Sequence, residues 1–418
     1  MSCRPMFHSA VVAALAAAAA AGGCTREAQP VAPSTASAAE ADTSEAVDRL
    51  RSLPYAGFSG GRDDAQDGVV VHDETRAYPG YNLVSVHDRC RADLIDMHGR
   101  VLRSWRHDGS ASWSNVELLD NGDLLAVGWD ANEAGESGIA DQKRYLLRFA
   151  WDGTLLWKRP MAAHHDVEVT PRGELLTLTF ERRRIPEIHS EIEVRDDRLT
   201  RLDPDGRNPR SVSLYDLVSR SPAVFPLQRV APNTAGGEPW IDLFHGNSIE
   251  WMHRPALAAR DPLYGPSNVL ACFRNQDRIA IFDLDRERVL WAWGAGMLSG
   301  PHDAQVLDDG TVLVFDNGLA RGWSRVVQVD PLRGEIVWEY RARDPRSLFT
   351  ASRGSAQRLP NGNTLIANSD NGTAFEITRD GEEVWRYNIP ERDERGHRAT
   401  IVRVKRYEPA FVEALPAD

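Results

Sequence analysis

A short strand-like word recurs along this chain with histidine in its variable slot: His165-Asp166-Val167-Glu168, then Asn247-Ser248-Ile249-Glu250 with His245 two residues ahead, then His302-Asp303-Ala304-Gln305. It also occurs without histidine, as Ser114-Asn115-Val116-Glu117 and Gly354-Ser355-Ala356-Gln357. Each copy is followed by an apolar position, a turn and a second apolar run. Aligned on Val116, Val167, Ile249, Ala304 and Ala356, the copies lie 51, 82, 55 and 52 residues apart. A period of about 50 residues built from short alternating runs is the signature of a β-propeller. The long interval carries an insertion within residues 181–245, where Arg and Pro interrupt the pattern.

Turn chemistry supports the same architecture. Asn121-Gly122, Arg172-Gly173, Asp309-Gly310 and Asn361-Gly362 separate apolar runs, and Asn-Gly and Asp-Gly are hairpin turns because both residues tolerate positive φ. A second word pairs Asp152-Gly153 with Trp157, Asp285 with Trp291, Arg333-Gly334 with Trp338 and Asp380-Gly381 with Trp385. It marks the outer turn of each unit and an aromatic able to pack between neighbouring sheets. A sixth unit can be assembled from both ends of the chain. Ile401-Val402-Arg403-Val404 would be its inner strand, and the run from Tyr81-Asn82-Leu83-Val84-Ser85-Val86 through Trp105 its outer ones. The expected fold is therefore all-β: a six-bladed propeller of four-stranded blades, closed by strands from both termini so that no sheet edge is left open.

The N-terminus reads as an address rather than as fold. Arg4 precedes an Ala-rich apolar run from Ala10 to Ala21, and Gly22-Gly23-Cys24 follows. This is an export signal over residues 1–23 of lipoprotein type, with Cys24 as the expected lipidated residue and the periplasm or outer membrane as destination. Residues 24–65, rich in Ala, Ser, Pro and Thr, read as a disordered tether. The propeller is expected over 66–410 and a tail over 411–418. A formal net charge of −12 argues against nucleic acid and against a basic membrane-binding face. Beyond the signal only Cys90 and Cys272 remain; the repeat places them on opposite sides of the ring, so no disulfide is expected.

In a propeller the first strand of each blade lines the channel, so His165, His245 and His302 should converge at its mouth. His72, His87, His98, His107, His189 and His253 read as surface or structural. Three neutral imidazoles can hold zinc or copper, or serve as nucleophile, general acid/base and oxyanion donors. Arg274, in Ala271-Cys272-Phe273-Arg274-Asn275, belongs to the second strand of the blade that begins at His245. A guanidinium beside the imidazoles favours an anionic sulfate, phosphate or carboxylate over a metal, and no metal or other cofactor is expected. Asp166, Asp303, Asn115 and Asn247 keep a metal-dependent propeller hydrolase open, although they can also bond neighbouring backbones across blades. A quinoprotein-like dehydrogenase and a lipid-anchored binding or scaffold propeller are the other readings.

Phe244-His245-Gly246-Asn247-Ser248-Ile249, Arg274, and Pro301-His302-Asp303-Ala304-Gln305 leading to Val314-Phe315-Asp316-Asn317-Gly318 resemble the bacterial arylsulfate sulfotransferases, as does the opening Tyr78-Pro79-Gly80-Tyr81. The resemblance covers roughly residues 70 to 405. It implies an exported six-bladed enzyme that moves a sulfuryl group from an aryl sulfate ester to a phenol without a nucleotide donor. By motif, His302 would be the nucleophile, and His165, His245 and Arg274 would bind the sulfuryl oxygens, with a histidine exchanging the phenolic proton. Asn247 joins His165 and Arg274 as a substrate-binding residue. The family's characterised enzymes carry an N-terminal β-sandwich domain that helps pair subunits; residues 24–65 here read only as a tether.

Overall fold

A computed structural model describes residues 58–131, 141–234 and 238–416. The export signal, Cys24 and the first part of the tether lie outside these described residues. The described residues form six sheets of four or five strands and one two-stranded pair. Blade 1 is ordered Ile401–Tyr407, Tyr81–Val86, Arg91–Ile95, Val101–Arg106, and its C-terminal strand is innermost, as expected. Blades 2 to 6 follow along the chain, with inner strands Ser110–Leu118, Ala163–Val169, Gly246–Trp251, His302–Val306 and Ser355–Arg358. Successive inner strands are neighbours, and that of blade 1 packs between those of blades 6 and 2, closing the ring.

Each blade is buried on both faces, which explains the near-continuous apolar second strands. In Leu124–Asp130, Leu124 and Ala126 point into the cluster shared with blade 1, whereas Leu125 and Val127 point into the one shared with blade 3. In Val312–Asp316, Val312 and Val314 face blade 4, and Leu313 and Phe315 face blade 6. The period of two along a strand thus serves two cores at once, and each of six apolar clusters lies between two consecutive blades. At the rim, outer-strand tryptophans tie blades together. Trp105, Trp293, Trp338 and Trp385 donate their indole N–H to the carbonyls of Ala150, Gly334, Arg379 and Met97 in the outer turn of the next blade. In blade 4 it is Trp293, not Trp291, that makes this bond; Trp291 packs partly buried in the core shared with blade 5.

Two boundaries differ from the sequence reading, and the expected insertion is in place. Part of the stretch read as tether belongs to the fold: Phe58–Arg62 pairs with His397–Ala399, and Phe58 packs on the core between blades 6 and 1. Gly68–His72 then adds a fifth strand to blade 6. The residues read as a tail contribute to a helix, Pro409–Glu413, and Val412 and Leu415 are buried against blades 1 and 2. The insertion of the 181–245 window falls after the fourth strand of blade 3: a helix, Leu214–Ser219, and a short strand, Trp240–Asp242, running parallel to Glu193–Leu202. Cys90 and Cys272 sit in opposite blades as buried thiols.

Trp385 is fully buried at the seam between blades 6 and 1. Trp385→Ala is expected to lower unfolding free energy by about 3–5 kcal/mol, read from urea denaturation. A loss under ~1 kcal/mol would show that the seam does not depend on this contact.

Candidate functional site

At the channel mouth the inner-strand ladders are interrupted. Register shifts fall between His164 and Val167 in blade 3 and between His302 and Gln305 in blade 5. Each bulge contains a left-handed residue, with φ 61° at His165 and 51° at Asp303. His245 (φ 50°) and Arg353 (φ 61°), just ahead of the inner strands of blades 4 and 6, share the conformation. Non-glycine residues rarely adopt it, and it concentrates where a surrounding fold fixes functional side chains. Bulges re-aim the side chains that follow them, and here they bring imidazoles from three blades together.

All three imidazoles engage the protein through Nδ1. His302 Nδ1 lies 2.8 Å from Asn317 Oδ1 and 3.1 Å from the Gly300 carbonyl. Asn317 Nδ2 donates to the carbonyls of Thr350 (2.8 Å) and Arg353 (2.6 Å), which turns its Oδ1 toward the histidine. With two acceptors before it, Nδ1 is assigned the proton, so Nε2 carries the lone pair. That Nε2 is buried and meets no hydrogen-bond partner among the described residues. His245 Nδ1 is 2.5 Å from Asp242 Oδ2. His165 Nδ1 is 2.8 Å from His164 Nδ1, and His164 Nε2 lies 3.4 Å from Asp197 Oδ1, an ion-pair distance without hydrogen-bond alignment. Placing the His164 proton on Nε2, toward Asp197, makes His165 the donor across the Nδ1 pair and leaves its Nε2 basic. The rings of His165 and His245 stand 4.8 Å apart, nearly edge to face.

A shell of charge supports them. Arg195 links the two histidine-bound carboxylates, with Nε 3.1 Å from Asp197 Oδ1 and Nη1 3.9 Å from Asp242 Oδ2. Asp197 Oδ2 accepts the N–H of Gly246 at 2.7 Å; a β-carbon at Gly246 would stand 3.3 Å from that oxygen, so the glycine makes room for the carboxylate. Arg274, 1% exposed, is fixed by its backbone N–H to the His245 carbonyl (3.2 Å). Burial, then the charge of Arg274 and the nearby His245, push His302 down to about 3 against its hydrogen bonds to Asn317 Oδ1 and the Gly300 carbonyl. Burial and Arg195 hold His164 at about 4 despite Asp197. Burial, His245 and His164 put His165 well below the usual range. Burial works to raise Asp242, but His245 and Arg195 overcome it and keep the carboxylate ionised.

Beside the imidazoles is a small cavity of about 50 Å³, lined by His165, His302, Asp166, Asp303, Arg353 and Arg403 among others. Asp166 and Asp303 are committed to the frame. Asp166 accepts from the side chain of Asn115 and from the N–H of Val167 (3.0 Å) and Ile249 (2.9 Å). Asp303 accepts from Ala356 N–H (2.9 Å) and Arg403 Nη2 (2.6 Å). This is the cross-blade role for the two carboxylates; of the hydrolase-type metal set, only the buried Asn115 and Asn247 Oδ1 atoms have no hydrogen-bond partner among the described residues.

The predicted residues His165, His245, His302 and Arg274 thus meet in one cup. Arg274 stands in the turn just after the second strand, Asn268–Phe273, not within it. Asn247 turns its Nδ2 to the Pro301 carbonyl (2.7 Å), steadying the residue before His302, and keeps a buried Oδ1 with no partner among the described residues. His87 is not a surface residue: it is 3% exposed, with Nδ1 2.8 Å from Ser112 Oγ. Sequence reasoning missed the supporting roles of Asn317, His164, Asp242, Asp197 and Arg195. Asn317 stood in a quoted motif, His164 beside a chosen histidine and Asp242 three residues ahead of another, but nothing local marks Asp197 or Arg195. Nor did it identify the aromatic wall. Phe180 lies 5.6 Å from the His164 ring and under Arg195 and Arg144, and Arg144 also covers Trp129.

Fold and site together define a β-propeller with a histidine–arginine cup suited to an anion. The model of the arylsulfotransferase (ASST) family matches residues 152–389, more than half of the chain, and the chain belongs to that family. Among curated proteins nothing matches. Similar solved structures include a protein of unknown function from Bacteroides caccae, with 14% identity, 78% of this chain and 98% of that one covered, and a TM-score of 0.51. A streptogramin B lyase matches at 11% identity over 84% of this chain and 96% of its own, with a TM-score of 0.45. The first bears on the fold alone.

An unperturbed histidine titrates near 6.5, whereas His302 is held at about 3. The unfolded chain therefore takes up a proton that the fold refuses, and stability is lost as pH falls from about 6.5 toward 3. The His302 imidazole signal, assigned by its absence in His302→Asn, is expected to stay in the neutral position from pH 7.5 to 4.5. Titration of that signal near pH 6.5 would contradict the burial and charge described here.

Proposed function

We propose that the protein transfers a sulfuryl group from an aryl sulfate ester to a phenolic acceptor, without a nucleotide sulfate donor, through a sulfated His302. Membership of the arylsulfotransferase family supports aryl sulfotransfer broadly. The observation that carries the finer reading is the His302 lone pair, fixed on a buried Nε2 by the bond of Nδ1–H to Asn317.

In the first half-reaction His302 Nε2 attacks sulfur, the N–S bond forms, and the S–O(aryl) bond breaks with its electron pair leaving on the phenolate. The positive charge that develops on the ring is shared with Asn317 Oδ1 and the Gly300 carbonyl through Nδ1–H. Arg274 offers a planar fork to the sulfonyl oxygens, and charge that grows there is met by preoriented donors. In the second half-reaction an acceptor phenol gives its proton to His165 Nε2 as its oxygen attacks sulfur and the N–S bond breaks, restoring His302. The His165 proton returns to the phenolate already released, through solvent. Such a sequence is ping-pong. Trp129 and Phe180 supply aromatic surface beside the cup for the aryl rings. The commitment of Asp166 and Asp303 to backbone N–H groups takes the two carboxylates out of the metal-hydrolase alternative and leaves it only amide oxygens, and the buried cup argues against a scaffold.

The test is release of p-nitrophenol from p-nitrophenyl sulfate, with and without phenol, on chelator-treated protein. Phenol-dependent release is expected, and His302→Asn should lose at least about a thousandfold in kcat with the fold intact. Near-normal turnover in that variant would overturn the nucleophile assignment. Arg274→Lys is expected to lower kcat/KM as well, because one ammonium cannot reproduce the bidentate fork.

The same proposal places the enzyme outside the cytoplasm, with residues 1–23 removed and Cys24 lipidated. Cys24→Ser should shift the protein from the membrane to the soluble fraction; retention in membranes would rule out this anchor.

A further inference from the structure

His72 and His98 look unrelated in sequence, and the fold sets them side by side. His72 ends Gly68–His72, the added outermost strand of blade 6, and pairs with Trp385. His98 lies in the turn between Arg91–Ile95 and Val101–Arg106 of blade 1. The residues flanking His98 dock this turn onto blade 6. The Met97 carbonyl accepts the Trp385 indole N–H at 3.0 Å, and Gly99 packs so closely that a β-carbon there would stand 3.3 Å from Val69 Cγ2. The imidazole centroids of His72 and His98 are consequently 5.1 Å apart, at 65°.

Glu74 completes the group. One ligand atom from each of His72, Glu74 and His98 lies within 4.8 Å of the other two. The backbones that present Glu74 and His98 are fixed by carboxylates already in use. Asp73 Oδ1 accepts from Thr75 N–H and hydroxyl, and its Oδ2 from Arg76. Asp96 Oδ1 accepts from the N–H groups of His98 and Arg100, and its Oδ2 from Arg100 Nε. The side chains of His72, Glu74 and His98 have no such employment: beyond the ring contact, they take part in no hydrogen bond or ion pair with the described residues.

We propose that His72, Glu74 and His98 bind a divalent transition metal, with zinc the best match and water completing the shell. Two imidazoles and one carboxylate are ligands that zinc accepts at about 2.0–2.2 Å. His72 is half-buried and Glu74 and His98 are exposed, so their side chains have room to turn onto an ion. The bound ion would clasp the strand Gly68–His72 to blade 1 at the seam where the two ends of the chain meet. It is a structural ion at the rim, contributed by residues of the outer strands and turns, and the channel chemistry does not depend on it.

The test is calorimetric titration of zinc chloride into the metal-free full chain, alongside His98→Ala and Glu74→Gln. Saturable one-to-one binding is expected for wild type, with a melting temperature that climbs with zinc concentration as linkage requires. Removing a direct ligand should weaken binding by at least about tenfold, since even an indirect partner of a ligand is worth that much. Identical binding by His98→Ala and wild type would overturn the proposal, because the zinc would then sit on other ligands. So would the absence of saturable binding to wild type. His98→Ala is expected to leave turnover of p-nitrophenyl sulfate unchanged.

Discussion

Arg403 is the pivot of the channel. It comes from the inner strand of blade 1, and its guanidinium reaches Asp303 of blade 5 at 2.6 Å and Asp166 of blade 3 at 3.6 Å. Each of those carboxylates accepts a backbone N–H from the blade after its own, Ala356 for Asp303 and Ile249 for Asp166. The cation therefore balances anions that set the register between consecutive inner strands. Burial lifts Asp166 to about 6 even with Arg403 opposing it. Without the arginine two desolvated carboxylates would face each other across the axis, which is among the more expensive arrangements a fold can hold. His165 directly precedes Asp166 and His302 directly precedes Asp303, so the pair that locks the frame also sets the two imidazoles.

How much of this was legible follows from range. The inner-strand word was readable because its Val, Ile and Ala positions must fill inter-blade cores at every repeat, and Asp and Asn beside them must reach the next backbone. Closure by Ile401–Tyr407 was readable for the same reason: an open sixth sheet would leave an edge. The histidine convergence followed from strand position alone. Asp242 and Arg195 were not readable. Asp242 stands three residues ahead of His245, but Trp240–Asp242 meets Glu193–Leu202 only after a long insertion, and the contact of Arg195 with Asp242 exists only through that pairing. Phe58 was misread because its neighbours are small and polar, although the single ring finds the core between blades 6 and 1. His72 and His98 looked solitary because the contact between them crosses the seam of the ring.

The electrostatics of the cup explain why so acidic a chain can still suit an anion. The net charge of −12 is spread over the molecule, while Arg274, Arg195, Arg144 and Arg353 gather around the channel mouth. Their field and the loss of water keep the imidazoles neutral, and neutrality is what a nucleophile requires. The same field, however, draws electron density from His302 and weakens its attack. An anionic sulfate ester in the cup would resolve that conflict, because its oxygens offset Arg274 before the N–S bond forms. On the proposed mechanism the His302 lone pair would regain basicity only when the group it is to attack is in place. Water brings no compensating charge, so His302 would be least reactive without an ester. A neutral or cationic ligand would leave the arginine field uncompensated, and on that reading the site would discriminate by charge before any contact with the aryl ring is made.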